Sequence, residues 1–92
     1  MTPEGKIVSD IRRWVKESGG LCRKCSWEGR RGAPDLFIMM QGDHLWLEVK
    51  SVSGRLTALQ EKEIAIMRQH GCRVAVVRSL EDAQRVVGIC HD

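Results

Sequence analysis

Asp35, Glu48 and Lys50 stand inside the two most apolar runs of the chain, within the stretch GAPDLFIMMQGDHLWLEVKS from Gly32 to Ser51. Ionised groups in such surroundings are costly unless they are paired or bind a metal. Two carboxylates can close on one hard cation through their oxygens. A neighbouring ammonium can hold a water and offset charge developing on an attacked centre. A cross-strand Asp35–Lys50 ion pair with Glu48 in water would also account for the residues, at about 0–1 kcal/mol. Against that account, Phe37, Met39 and Trp46 share the side from which the three charges project, so the charges meet at the end of an apolar face.

The elements that position these groups follow from local pattern. Gly42-Asp43 reads as a two-residue hairpin turn, with glycine supplying the positive φ of a type II′ turn. Gln41 then pairs with His44, Phe37 with Glu48 and Asp35 with Lys50. Alternation puts Asp35, Glu48 and Lys50 on one face, with Asp35 and Glu48 diagonal neighbours at roughly 7–8 Å between backbones.

Thr2-Pro3 supplies an N-cap and a first helical residue, and Ile7, Val8, Ile11, Trp14 and Val15 recur at helical spacing until Gly19-Gly20. Leu21 to Trp27 reads as an edge strand, Arg30 to Pro34 as a loop, and Leu36–Met40 and Leu45–Val49 as the hairpin strands. Thr57 to His70 is helical, with Ile64 and Met67 on one face and Gly71 as its stop. Val74 to Val77 has the β-branched character of a strand covered on both sides, and Ser79 caps a last helix that turns Leu80, Ala83 and Val87 inward. The expected fold class is α/β, in the order αβββαβα, with a small mixed β-sheet flanked by helices.

Composition narrows the function classes. Ninety-two residues make one domain, which at this size buries about two-thirds of its unfolded surface. No run approaches the roughly 20 apolar residues of a membrane span, and the start of the chain has no apolar signal core, so a soluble intracellular protein is expected. Residues 1 to 33 hold eight Lys/Arg and four Asp/Glu, against seven and eight in the remainder. The excess gathers at Arg12, Arg13, Lys16, Arg23, Lys24, Arg30 and Arg31, as a polyanion partner would require, although basic surfaces also serve solubility. With three Trp and no Tyr the chain is a poor base-stacking platform. Trp14 and Trp46 fit the core, and Trp27 fits either edge packing or contact with DNA or a second subunit.

Cys22 and Cys25 form a CxxC without the second half of a zinc ribbon. His70, Cys72, Cys90 and His91 could complete a site only if the fold gathered them, and idle thiols are the default. Glu4 suits the dipole of a helix start, yet it shares the inward stripe with Ile7 and Ile11. Thr57 to Gln60 fits a capping box, yet Gln60 also shares a face with Ile64 and Met67.

Pro34-Asp35, a twelve-residue gap and Glu48-Val49-Lys50 match the PD-(D/E)xK pattern of metal-dependent nucleases in the restriction-endonuclease-like superfamily. Glu4 at the helix start, the basic Gly-containing loop before Pro34, the run Leu45 to Lys50, Gly54-Arg55-Leu56-Thr57 and Gln60 together resemble the VRR-NUC family, the virus-type replication and repair nucleases. The resemblance spans nearly the whole chain, so that residues 1–92 would be a single nuclease domain of the stand-alone phage or bacterial type with a restriction-endonuclease-like core.

It implies a DNA endonuclease using Mg²⁺ or Mn²⁺ and leaving 5′-phosphate and 3′-hydroxyl ends. Asp35, Glu48 and the Val49 carbonyl would be metal ligands, Lys50 would serve the attacking water, and Gln60 and Glu4 would complete the site, Glu4 through a metal-bound water. Arg12, Arg13, Arg30, Arg31 and Arg55 would meet DNA. A homodimer acting on branched DNA such as four-way (Holliday) junctions is implied, in the cytoplasm of a bacterial or phage-infected cell, with no membrane partner and no small-molecule cofactor. A non-catalytic nucleic-acid-binding module of the same fold is the alternative, and a zinc-bearing binder through Cys22 and Cys25 stands third.

Overall fold

The computed structural model describes residues 1–89, so Cys90 and His91, considered above as zinc ligands, lie outside the described residues. The elements are α1 (Pro3–Glu17), β1 (Leu21–Lys24), β2 (Leu36–Met40), β3 (Asp43–Val49), α2 (Ala58–Gln69), β4 (Val74–Val77) and α3 (Leu80–Ile89), in the expected order. The strands lie side by side as β1-β2-β3-β4, antiparallel except for the parallel β3/β4 pair. A parallel neighbour needs a crossover, and α2 supplies it.

Helix ends follow their local chemistry. The Thr2 hydroxyl accepts the Gly5 N–H at 3.0 Å with Pro3 in the first turn. Gly19 at φ 81° ends α1, and the Gly20 N–H returns to the Val15 carbonyl at 2.9 Å. Gly20 also has no room for a side chain, because a Cβ there would lie 2.4 Å from Met40 Cγ.

Two apolar layers enclose the sheet. On one face α1 (Ile11, Val15) and α3 (Ala83, Val87) cover Leu36, Ile38, Met40, Leu45, Leu47, Val49 and Val77. On the other, Ile64 and Met67 of α2 pack on Val74 with Trp46, Val76 and Trp27 around them. Full burial of each such side chain is worth about 1.5–3 kcal/mol. Among the described residues no helix is long and apolar enough to cross a membrane.

Two local expectations are corrected. β1 stops at Lys24 rather than Trp27. Trp14 and Trp46 do pack against the two core layers, with Trp27 against the second, each of them partly buried. The hairpin turn is Gln41-Gly42, not Gly42-Asp43, so Met40 pairs with Asp43 and Phe37 with Trp46. Both turn residues take positive φ, 53° and 80°, as a type I′ turn demands. This frees Asp43 to enter β3, where its carboxylate pairs with Arg73. The register moves by two residues, which leaves every side chain on its expected face because the strand period is also two. Phe37 and Trp46 become direct cross-strand partners with ring centroids 4.5 Å apart.

A turn with a glutamine at positive φ is improvable. Gln41→Asn should raise the unfolding free energy by a few tenths of a kcal/mol, and Gly42→Ala should lower it by about 1–2 kcal/mol. Urea denaturation of the two variants beside the parent checks both signs.

Candidate active site

The corrected register brings Asp35, one residue before β2, directly opposite Glu48 of β3 rather than diagonal to it. Asp35 is held twice. Its carbonyl accepts the Cys25 N–H at 2.8 Å, which ties it to the end of β1, and its Oδ2 accepts the Val49 N–H at 2.8 Å. Pro34 before it is fully buried.

Glu48 is only 1 % exposed. Its Oε2 receives the Gln60 Nε2 at 3.2 Å and lies 3.7 Å from Lys50 Nζ, whereas its Oε1 is buried with no hydrogen-bond partner. The lysine thus pairs with Glu48, two residues back on the same face, and not with Asp35 as an ordinary cross-strand pair would have it. Burial, then the adjacent Asp35 charge, raises the Glu48 pKa from 4.5 to about 7, with Lys50 opposing. A buried carboxylate with one oxygen unmatched and a second carboxylate beside it is an unfavourable arrangement by itself, and a cation resolves it.

Gln60 closes the helix cap and touches Glu48 at once. Its Oε1 accepts the Thr57 N–H at 2.9 Å and its N–H donates to the Thr57 hydroxyl at 3.1 Å, completing the capping box. The amide nitrogen remains free to reach Glu48. The start of α2 and the carboxylate site are therefore joined through one side chain.

The other sequence candidates are spread more widely. Glu4 reaches the loop after Lys50, where a Cβ on Gly54 would lie 3.6 Å from Glu4 Oε2. Arg30 donates to Glu63 at 2.9 Å and so pins the basic loop to α2. Arg12, Arg13, Arg31 and Arg55 are exposed, Arg13 lying 3.8 Å from Asp10. Burial pushes the Cys22 and Cys25 thiols up, with the Asp35 charge adding to Cys25, so both favour the neutral form that binds metal poorly.

Sequence reasoning missed Glu63 and Arg78. The Arg78 guanidinium donates to the carbonyls of Ser51 at 2.6 Å and Gly54 at 2.5 Å, clamping the loop that follows Lys50. Nothing in the local sequence marks it, since its partners lie 27 and 24 residues away.

Among the described residues no three His, Cys, Asp or Glu side chains gather as a metal cluster, so Glu4 does not join Asp35 and Glu48 as a third carboxylate of one. Two carboxylates nevertheless fit Mg²⁺, which is commonly bound by one or two of them with the balance from water and substrate phosphate. The donors are all oxygen, and the unmatched Glu48 Oε1 offers a ligand position.

The raised Glu48 pKa has a defined sign. A carboxyl whose folded pKa exceeds its unfolded value stabilises the fold fully below about 4.5, and this contribution is lost as pH rises through about 7. In chelator, the parent should therefore lose more stability across that window than Glu48→Gln does. Thermal melts of both proteins at matched pH values measure the difference.

The VRR-NUC domain model matches residues 11–81. A solved chain described as a VRR_NUC domain aligns with a TM-score of 0.85 at 32% identity, over 96% of this chain and 97% of that one. A second, described as a VRR_NUC domain protein, aligns with a TM-score of 0.73 at 17% identity, over 92% of this chain and 84% of that one, and speaks to the fold alone. The comparison with curated proteins gave no match. A family model that covers most of the chain and a solved relative that shares nearly its full length agree, and the chain belongs to the VRR-NUC family of nucleases.

Proposed function

We propose that this chain is a Mg²⁺- or Mn²⁺-dependent DNA endonuclease whose site is built by Asp35, Glu48 and Lys50. The observation that carries the reading is the buried Glu48 carboxylate, with one oxygen unmatched and Asp35 directly across the hairpin. Asp35, Glu48 and the Val49 carbonyl would hold the cation. When bound, the metal polarises a phosphodiester oxygen and lowers the pKa of a coordinated water.

The chain's own groups do the rest. Lys50 Nζ, 3.7 Å from Glu48 Oε2, is placed to orient the attacking water and to counter charge on the phosphoryl oxygens. The water gives up a proton to solvent as its oxygen bonds to phosphorus, the bond from phosphorus to the 3′ oxygen breaks, and that oxygen takes a proton from solvent. The products are a 3′-hydroxyl and a 5′-phosphate. Gln60 keeps the Glu48 carboxylate oriented, and Glu4 acts from the side of the Ser51–Gly54 loop. Residues 1–92 form one nuclease domain on this reading.

The substrate form and the assembly belong to the same proposal. A domain this small has no separate reading head, so backbone shape is favoured over base sequence, and a homodimer with two sites would suit a four-way junction. An open apolar strip supports self-association. Leu21 is 50% exposed, and Phe37, Met39 and Trp46 beside it on the sheet are only partly covered.

Asp35→Asn, Glu48→Gln and Lys50→Ala should each lower metal-dependent cleavage on the order of 10²–10³-fold or more while the circular dichroism stays parental. A Lys50→Ala protein that cuts at the parental rate would remove the assignment. Cys22→Ser with Cys25→Ser should leave activity in place.

On an immobile junction the parent should make paired nicks and run as a dimer in light scattering at micromolar concentration, and Leu21→Glu should shift it towards monomer. Equal rates on linear and branched DNA by a monomer would leave a nuclease without junction selectivity.

A further inference from the structure

On the α1 side of Asp35 lies a cavity of about 480 Å³, lined by Gly5, Ser9 and Arg12 of α1, by Lys24 of β1 and by Asp35 itself. Gly5, Ser9 and Arg12 fall at i, i+4 and i+7, one stripe of the helix, with no side chain at Gly5 and a short hydroxyl at Ser9. A second cavity of about 500 Å³ shares Arg12 and continues along Arg13, Lys16 and Arg23. A run of cations thus leads along α1 and β1 to Asp35, one member of the carboxylate pair.

The cations in this run are not equivalent. Arg13 is within 3.8 Å of Asp10, and Arg23 donates to the Cys22 carbonyl at 3.0 Å. The side chains of Arg12 and Lys24 have no hydrogen-bond or ion-pair partner among the described residues, and both are exposed. Two unpaired cations and a hydroxyl converge on a space that ends at Asp35.

We propose that Ser9, Arg12 and Lys24 form a subsite for one phosphodiester of the bound strand, next in the strand to the phosphodiester that faces Asp35 and Glu48. A guanidinium and an ammonium suit the non-bridging oxygens of a phosphate, and in a nucleic-acid strand the group next to one phosphodiester is another. Arg30, by contrast, is already committed to Glu63. The subsite sets the register of the strand against the carboxylates, so Arg12 and Lys24 are positioning residues. The identity of the ligand rests on the nuclease reading, whereas the test uses binding alone.

The test is fluorescence anisotropy in chelator with a short labelled DNA duplex, comparing the parent, Arg12→Gln with Lys24→Gln, Ser9→Leu, and Arg85→Gln on α3 as a control. The double variant should bind about 10-fold or more weakly, with the slope of log affinity against log salt reduced by about 1–2. Ser9→Leu should weaken binding by filling the space with no change of charge, and Arg85→Gln should bind as the parent does. Replacing single phosphates in turn by methylphosphonates should cost the parent most at one position, and the double variant nothing there. Parental affinity and salt slope in the double variant would overturn the subsite, as would an unchanged methylphosphonate profile. Parent protein that binds as described but cuts no DNA with Mg²⁺ or Mn²⁺ would overturn the nuclease reading and leave the subsite standing.

Discussion

The Val49 N–H donates to Asp35 Oδ2 at 2.8 Å, and much of the site depends on this one contact. It continues the β2/β3 pairing past Leu36 with a side-chain oxygen in place of a backbone carbonyl. The strand therefore does not end at the carboxylate; the carboxylate is the last partner of the strand. Asp35 is held where its charge bears on Glu48, directly across the hairpin, at a distance that a flexible surface aspartate would not keep. A shift of one residue in the register would send both groups to the opposite face, into the layer of Leu36, Leu47 and Val49.

Two carboxylates held in this way repel, and three groups moderate the repulsion. Lys50 contributes a nearby positive charge, Gln60 donates to one oxygen of Glu48, and the raised Glu48 pKa of about 7 lets a proton neutralise that carboxyl at acid pH. A divalent cation would displace that proton. A cation bound there would thus compete with a proton for the same oxygens. Gln60 links the site to the N-terminus of α2, because the amide that steadies Glu48 also closes the capping box.

The surrounding loops are tied down by contacts of long sequence separation. Arg30 to Glu63 fastens the basic loop to α2, and Gly32, at φ 96°, lets that loop pass so close that a Cβ would lie 2.6 Å from the Leu59 carbonyl oxygen. Arg78 clamps the Ser51–Gly54 loop on the other side of the site. Carboxylates, lysine and amide are thus braced from both ends of the sheet. The unpaired cations Arg12 and Lys24 stand beside this framework, available to a ligand.

The sequence by itself determined the element order, the helix caps and the face from which Asp35, Glu48 and Lys50 project. Periods of 3.6 and 2, Thr2-Pro3, and the glycines at 19 and 71 are local signals, and local signals are read directly from residue order. Even a misplaced hairpin turn left the faces correct, because its error equalled one strand period. Only the tertiary structure decided that Asp35 lies opposite Glu48 and not Lys50, since Gln41 rather than Asp43 takes up the turn. It alone decided that Gln60 serves cap and carboxylate together, that Glu63 holds Arg30, and that Arg78 holds the loop after Lys50. Those partners are 12 to 33 residues apart, and no periodicity within one element reports on which distant group a side chain will meet.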